Sequence, residues 1–227
     1  MQKQCKIPKF LKEDYPINTV IIINDRNFYI YTKIKLAYLY SMNKSEIKLN
    51  QGIFLVSAPQ LKDFFRRSVI FITEHNENGS VGFVLNKPTK FTIAEIIEGF
   101  PEFPSKVSIG GPVQADLVNI IHKAGDILTG GIEVCDGIYW GCDFDILKLL
   151  AEENKISPDD ILFFVGYSGW SPGQLESELL ANSWIVTESN KQYIFSKEPG
   201  KIWNRILKDM GGEYAIISMF PEDPSVN

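Results

Sequence analysis

Ile161-Leu-Phe-Phe-Val-Gly-Tyr-Ser-Gly-Trp-Ser-Pro-Gly-Gln-Leu-Glu176 is the stretch on which the reading of the fold turns. Its first five residues form a near-continuous apolar run, the mark of a strand covered on both faces. The run ends at Gly166, and a second glycine at 169 allows a sharp turn. Ser171 and Gln174 have the S-x-x-Q spacing of a capping box, and Pro172 sits at the first helical position. These signals predict a strand, a tight loop and a helix over residues 172–182, with the cap stabilising the helix start by about 1 kcal/mol.

Three functions are open to this junction. A nucleophile elbow would use Ser168, but G-x-S-x-G needs glycine two residues after the serine, and Trp170 stands there. An anion cradle at the helix start is disfavoured by Glu176 and Glu178, which already complement the helix dipole and would repel a second anion. A ligand-lining loop remains, with Trp170 as its best contact residue and Gln174 beside it. The plain alternative is a purely structural strand-to-helix junction.

Upstream, Gly52-Ile-Phe-Leu-Val-Ser-Ala-Pro59 reads as a buried strand ending at a proline. Ser68–Glu74 and Ser80–Asn86 read as a hairpin around Asn78-Gly79, with Pro88 stopping the second strand. Thr92 caps a short helix in 91–99, followed by a strand over Lys106–Ile109 and the turn Gly110-Gly111-Pro112. Leu117–His122 is a strand, and a second hairpin flanks Asp136-Gly137. Asp143 caps a helix over 144–154 whose apolar stripe is Phe144, Leu147, Leu150 and Ala151. Strands are expected at 184–187 and 193–195, a helix at 199–210, and a last helix or strand at 214–219. Strands outnumber helices and hairpins recur. The fold class is therefore α+β: one compact domain with a mixed, largely antiparallel sheet or partly closed barrel, flanked by about three to four helices.

The chain has 227 residues, 44% of them apolar, enough for one large domain plus a tail. Its texture changes along its length. Residues 1–41 are rich in Ile, Lys, Tyr and Asn and contain no glycine, so they read as an extension, either a spurious upstream start or a disordered segment. The alternative is a hairpin of Val20–Ile23 and Phe28–Tyr31. Residues 42–51 form a polar leader, 52–220 the domain, and 221–227 a frayed tail. The first fifty residues carry nine Lys/Arg against four Asp/Glu, and the rest fourteen against twenty-four. The domain is thus acidic, which lowers the expectation of direct nucleic-acid binding, a mode built on basic phosphate contacts. No membrane span and no signal peptide are read, so a cytoplasmic protein is expected.

Chemistry-bearing residues are sparse. Cys5, Cys135 and Cys142 contain no CxxC and suggest free thiols rather than a disulfide framework or zinc site. His75 and His122 are the only histidines. A Ser-His-acid relay would need one of them near Ser168, and a metal site would need three or four ligands. Glu74 and His75 point to opposite faces of a strand and cannot chelate together. Neither metal nor cofactor is implied. Asn86, before Lys87-Pro88, and Gly110-Gly111 are turn-like and can offer polar groups to a pocket.

Taken in order, Gly52–Pro59, Phe65-Arg-Arg-Ser-Val-Ile70, Glu74-His75, Val81-Gly-Phe-Val-Leu-Asn-Lys-Pro88, Gly110-Gly-Pro-Val113, Gly166-Tyr-Ser-Gly-Trp170, Pro172-Gly-Gln-Leu-Glu176 and Ser183-Trp184 form a specific set. From about Gly52 to Gly211 the chain resembles the bacterial AlgH/YqgE family of small cytosolic proteins. The resemblance implies a compact α/β fold, a start near Gly52 and the label of a transcriptional regulator. Alanine or a similar small residue is more typical of the family before Gly169, where this chain has Ser168. The resemblance supplies no catalytic residues.

The leading expectation is a non-enzymatic cytosolic protein that binds an unknown protein or small-molecule partner and influences gene expression indirectly. His75, Asn86, Gly110, Gly111, His122, Ser168, Trp170 and Gln174 are its candidate contacts. One rival is a hydrolase using His75 or His122 with Ser168. The other is a direct DNA-binding regulator.

Overall fold

The computed structural model describes residues 19–24, 27–32 and 48–220. The bulk of the extension, the first part of the leader, the tail 221–227 and Cys5 lie outside the described residues. The chain divides into two units at Ile47/Lys48. In the first, β1 (Thr19–Asn24) and β2 (Asn27–Thr32) pair antiparallel with Thr19 opposite Thr32 and Asn24 opposite Asn27.

The second unit is built on a ten-stranded, mostly antiparallel sheet. Its strands are β3 (Ile53–Ser57), β4 (Val69–Asn76), β5 (Gly79–Val84), β6 (Pro88–Thr92), β7 (Lys106–Ile109), β8 (Val113–His122), β9 (Ile132–Cys135), β10 (Ile138–Trp140), β11 (Ile161–Trp170) and β12 (Trp184–Glu188). The order β12-β3-β4-β5-β11-β8-β10-β9 leaves both ends unpaired, so the sheet does not close into a barrel. Six α-helices accompany it: α1 (Ile93–Ile96), α2 (Phe144–Glu152), α3 (Gln174–Leu180), α4 (Lys191–Ile194), α5 (Ile202–Met210) and α6 (Gly212–Ile217). The α+β class with a mixed, largely antiparallel sheet is as the sequence implies.

β11 organises the sheet. Its first half, Ile161–Val165, lies between β8, antiparallel, and β7, parallel. Its last three residues, Ser168–Trp170, pair with β5 instead. The change of partner falls at a bulge at Gly166, whose φ of +67° favours glycine. A Cβ there would lie 2.6 Å from the Gly111 carbonyl oxygen, and one on Gly111 would lie 2.1 Å from the Tyr167 carbonyl. Gly110-Gly111 and Gly166 are thus two chain crossings pressed backbone to backbone. The sharp turn expected after Val165 is therefore not a turn; the strand bends and continues to Trp170.

Two bodies of apolar side chains cover the sheet. All five residues of β3 are buried, and Phe54 meets Phe71 of β4 edge to face at 6.1 Å. On the other half, Phe163 packs with Phe100, Phe103, Val107 and Leu147 of α2. Each fully buried phenylalanine contributes roughly 2–3 kcal/mol. α2 starts at Asp143, whose carboxylate accepts from the N–H of Asp145 and Ile146, as its sequence position requires.

Elsewhere the local signals are outweighed. Pro88 opens β6 rather than merely stopping β5, because the first position of an edge strand needs no N–H. α3 begins at Gln174 after Gly173 in a left-handed conformation. Only one arm of the expected box is seen, from Ser171 N–H to Gln174 Oε1 at 3.0 Å. Of the residues expected as a strand at 193–195, Tyr193 and Ile194 belong to α4 and Phe195 ends it, and Asn190 caps its start through Gln192 N–H. No helix among the described residues is long and apolar enough to cross a membrane.

Candidate functional site

The β4–β5–β11 region borders both α3 and a cleft. Register places His75, Ser80 and Trp170 in one cross-strand row, and Glu74 opposite Val81 in the next. His75 and Trp170 of the first row reach side chains of α3, and Glu74, Ser80, Val81 and Trp170 all border the cleft.

Toward α3 the polar groups are consumed by one another. The Glu178 carboxylate accepts from the indole N–H of Trp170 at 2.9 Å and of Trp184 at 2.6 Å. Its other oxygen accepts from Gln174 Nε2 at 3.0 Å. Phe65 stacks on Trp170 and meets Trp184 edge-on. Glu178 therefore fastens an aromatic knot, a role its position in the helix does not reveal. His75 Nδ1 lies 2.8 Å from Ser80 Oγ, and its Nε2 lies 3.9 Å from Glu176.

The other side-chain candidates are tied into the frame. Ser168 is fully buried, and its hydroxyl donates to the Gly110 carbonyl at 3.0 Å. That carbonyl also accepts the Val84 N–H, so both its lone pairs are used. His122 is fully buried too. Its Nε2 lies 3.0 Å from the Gly141 carbonyl and its Nδ1 accepts the Ala124 N–H, which fixes a neutral tautomer. Its ring stacks on Tyr139 at 5.4 Å, and burial lowers its pKa. Asn86 accepts the Val69 N–H and donates to the Arg67 carbonyl. Gly110 and Gly111 form the crossing described above. The structure thus gives His75, His122 and Ser168 separate hydrogen-bond partners and does not bring them to one hydrogen-bonded relay. Cys135 and Cys142 are unbonded to each other. Burial pushes the Cys142 thiol up to about 11 and raises that of Cys135, so both are protonated at neutral pH.

The cleft at this end of the sheet has a volume of about 370 Å³. Glu74, Asn76 and Asn78 of the β4–β5 hairpin line one wall, Tyr167 and Gly169 of β11 the floor, and Val113, Ser171 and Pro172 the far side. Its shape comes from backbone contact. A Cβ on Gly79 would lie 2.1 Å from the Trp170 carbonyl, so the hairpin tip rests directly on the end of β11. The Tyr167 ring lies beside Gly169, where a Cβ would be 3.0 Å from Cε2. Asn76 Oδ1 accepts the Asn78 N–H at 2.7 Å, and Asn76 Nδ2 donates to Glu74 at 2.5 Å, which holds the wall in place. The cleft's volume lies at the low end of the range of small-molecule pockets.

Of the residues expected as contacts, only Trp170 borders this cleft, and Asn86 borders a second hollow. Glu74, Asn76, Asn78 and Tyr167 escape a reading of sequence. The polar hairpin loop 74–79 was a visible signal, but it reads equally as a solvated turn.

The sequence profile of the AlgH-like family matches residues 54–215. The chain belongs to this family. A UPF0301 protein of Chlorobium limicola is 43% identical over 181 residues, covering 79% of this chain and 97% of its own length. A UPF0301 protein of Cytophaga hutchinsonii is 41% identical over 181 residues, 79% of this chain and all of its own. Among solved structures, AlgH of Pseudomonas aeruginosa, also UPF0301, superposes with a TM-score of 0.61 at 26% identity, covering 75% of this chain and 93% of that one. Protein DIP2367 of Corynebacterium diphtheriae has a TM-score of 0.65 at 22% identity, covering 80% and 97%, and supports the AlgH-like fold alone.

Proposed function

We propose that this AlgH-like chain is a cytoplasmic, non-enzymatic binding protein that takes a small polar ligand in the cleft between the β4–β5 hairpin and the end of β11. The observation that carries the reading is the cleft itself, which Glu74, Asn76, Asn78 and Ser171 line together with Tyr167. One carboxylate and several amides suit a neutral or cationic partner with donors to offer and a flat apolar part to lay on the phenol ring. Any effect on gene expression is then indirect, through the occupancy of this cleft. Direct DNA contact is disfavoured by the acidic balance after residue 50, where fourteen Lys/Arg face twenty-four Asp/Glu.

The test is saturation-transfer NMR of the purified protein against a panel of polar amines, amides and amino acids. At least one class binds saturably, and Tyr167→Ala and Asn76→Ala each weaken it tenfold or more. Binding that neither substitution affects overturns the assignment of the cleft.

A second reading has one observation in its favour. His75, Ser80 and Glu176 stand in sequence at 2.8 and 3.9 Å, a base between a hydroxyl and an acid. Against it, Ser80 is only 5% exposed, and the acid lies beyond hydrogen-bond distance. A screen of ester and phosphoester substrates separates the two. Turnover that disappears in both Ser80→Ala and His75→Ala establishes the hydrolase and removes the binding-protein reading.

A further inference from the structure

A second hollow of about 290 Å³ lies between Arg66-Arg67 before β4, Asn86-Lys87 after β5 and the start of α5. Arg66, Arg67 and Lys87 line it together with the side-chain amides Asn86 and Asn204, and no Asp or Glu is among its walls. In a domain whose carboxylates outnumber its cations, a hollow lined by Arg66 and Lys87 and by no Asp or Glu is a local reversal of charge.

Several cations elsewhere on this surface have acidic neighbours: Lys123 has Asp160, Lys155 has Glu153, and Lys201 and Arg205 share Glu198. Neither Arg66 nor Lys87 has an ion-pair partner among the described residues. Lys87 is half-buried with its ammonium 5.3 Å from the centre of the Phe64 ring. Burial there lowers its pKa, the sign of a charge withdrawn from water without compensation. Arg67 is held in place. Its guanidinium lies 4.8 Å over the Trp203 ring and donates to the Phe220 carbonyl. The hollow is closed on one side by Gly200, Trp203 and Asn204, where α5 begins. A 3-10 turn at Pro199–Lys201 leads into this nine-residue helix, and the Ile202 N–H donates to the Pro199 carbonyl.

We propose that this hollow is an oxyanion site for the phosphate group of a small phosphorylated molecule, held by Arg66 and Lys87, with Asn86 and Asn204, whose amides are fixed by backbone partners, forming its walls. The fork of an arginine and the point charge of a lysine are the usual phosphate pair. The cations form a hollow rather than a stripe, and the surrounding domain is acidic. A single phosphate group is therefore favoured over the backbone of a nucleic acid. The site is distinct from the β4–β5–β11 cleft and stands or falls without it.

Calorimetric titration of the full chain with inorganic phosphate, pyrophosphate and glycerol 3-phosphate, at low and at physiological salt, tests it. At least one of the three binds saturably at one equivalent. Arg66→Gln and Lys87→Gln each weaken that binding about tenfold or more, while Lys155→Gln, at a lysine paired on the surface with Glu153, leaves it within twofold. Preference for glycerol 3-phosphate identifies a phosphate ester as the natural form, and preference for the two inorganic probes identifies a free anion. Because Arg66 is exposed and Lys87 only half-buried, both variants fold, and circular dichroism checks that they do. The proposal is overturned by an absence of saturable heat up to 10 mM of every probe, or by binding that neither substitution weakens.

Discussion

At the scale of single residues, the chain's most distinctive side chains serve the frame. Ser168 and His122 look like reactive groups in sequence, yet each is fully buried and spends its polar atoms on backbone partners. The backbone crossing that Ser168 secures has no room for even a methyl group. Gly111→Ala places a carbon 2.1 Å from the Tyr167 carbonyl and is expected to cost about 3 kcal/mol or more in urea unfolding. A loss under about 1 kcal/mol would show that the crossing is loose. His122 makes a pH-dependent contribution whose sign follows from its lowered pKa. The unfolded chain binds the proton more readily, so the contribution is complete above the ordinary value of 6.5 and is lost as pH falls below it toward the folded value. Wild type should lose stability relative to His122→Gln in that window with a slope of up to about 1.4 kcal/mol per pH unit. Parallel curves for the two proteins between pH 7 and 5 would contradict the buried neutral ring.

At the scale of elements, local patterns were legible and their junctions were not. The hairpins at 69–84 and 132–140, the cap at Asp143 and the buried run 161–165 follow directly from turn residues, a side-chain acceptor and apolar continuity. The fate of Gly166 does not. Turn and bulge share the same glycine signal, and only the exchange of partners from β8 to β5 makes β11 one strand. The same limit hides the site. Tyr167 faces the cleft because Ser168 is committed to Gly110, a contact across 58 residues that no local spacing encodes. Glu178 is a similar case: in sequence it is a helix acid, and in the structure it joins Trp170 and Trp184. Glu178→Ala leaves two indole N–H groups without their acceptor and should cost about 2–4 kcal/mol, with a red shift of tryptophan emission. An unchanged emission maximum would mean that the knot holds by ring packing alone.

At the scale of the whole molecule, one open sheet presents two hollows of unlike charge. The cleft on the β4–β5–β11 face carries Glu74 and amides, and the hollow beside α5 carries arginines and a lysine. Family membership explains the shared architecture with AlgH of Pseudomonas aeruginosa. The central claim is that the cleft is the ligand site. Amide chemical-shift mapping of the isotope-labelled protein, titrated with the best binder from the amine and amide panel, tests it most directly. The account predicts perturbations concentrated at Asn76, Asn78, Tyr167 and Ser171 that vanish in Tyr167→Ala. Perturbations that fall elsewhere, or persist unchanged in that variant, would contradict it.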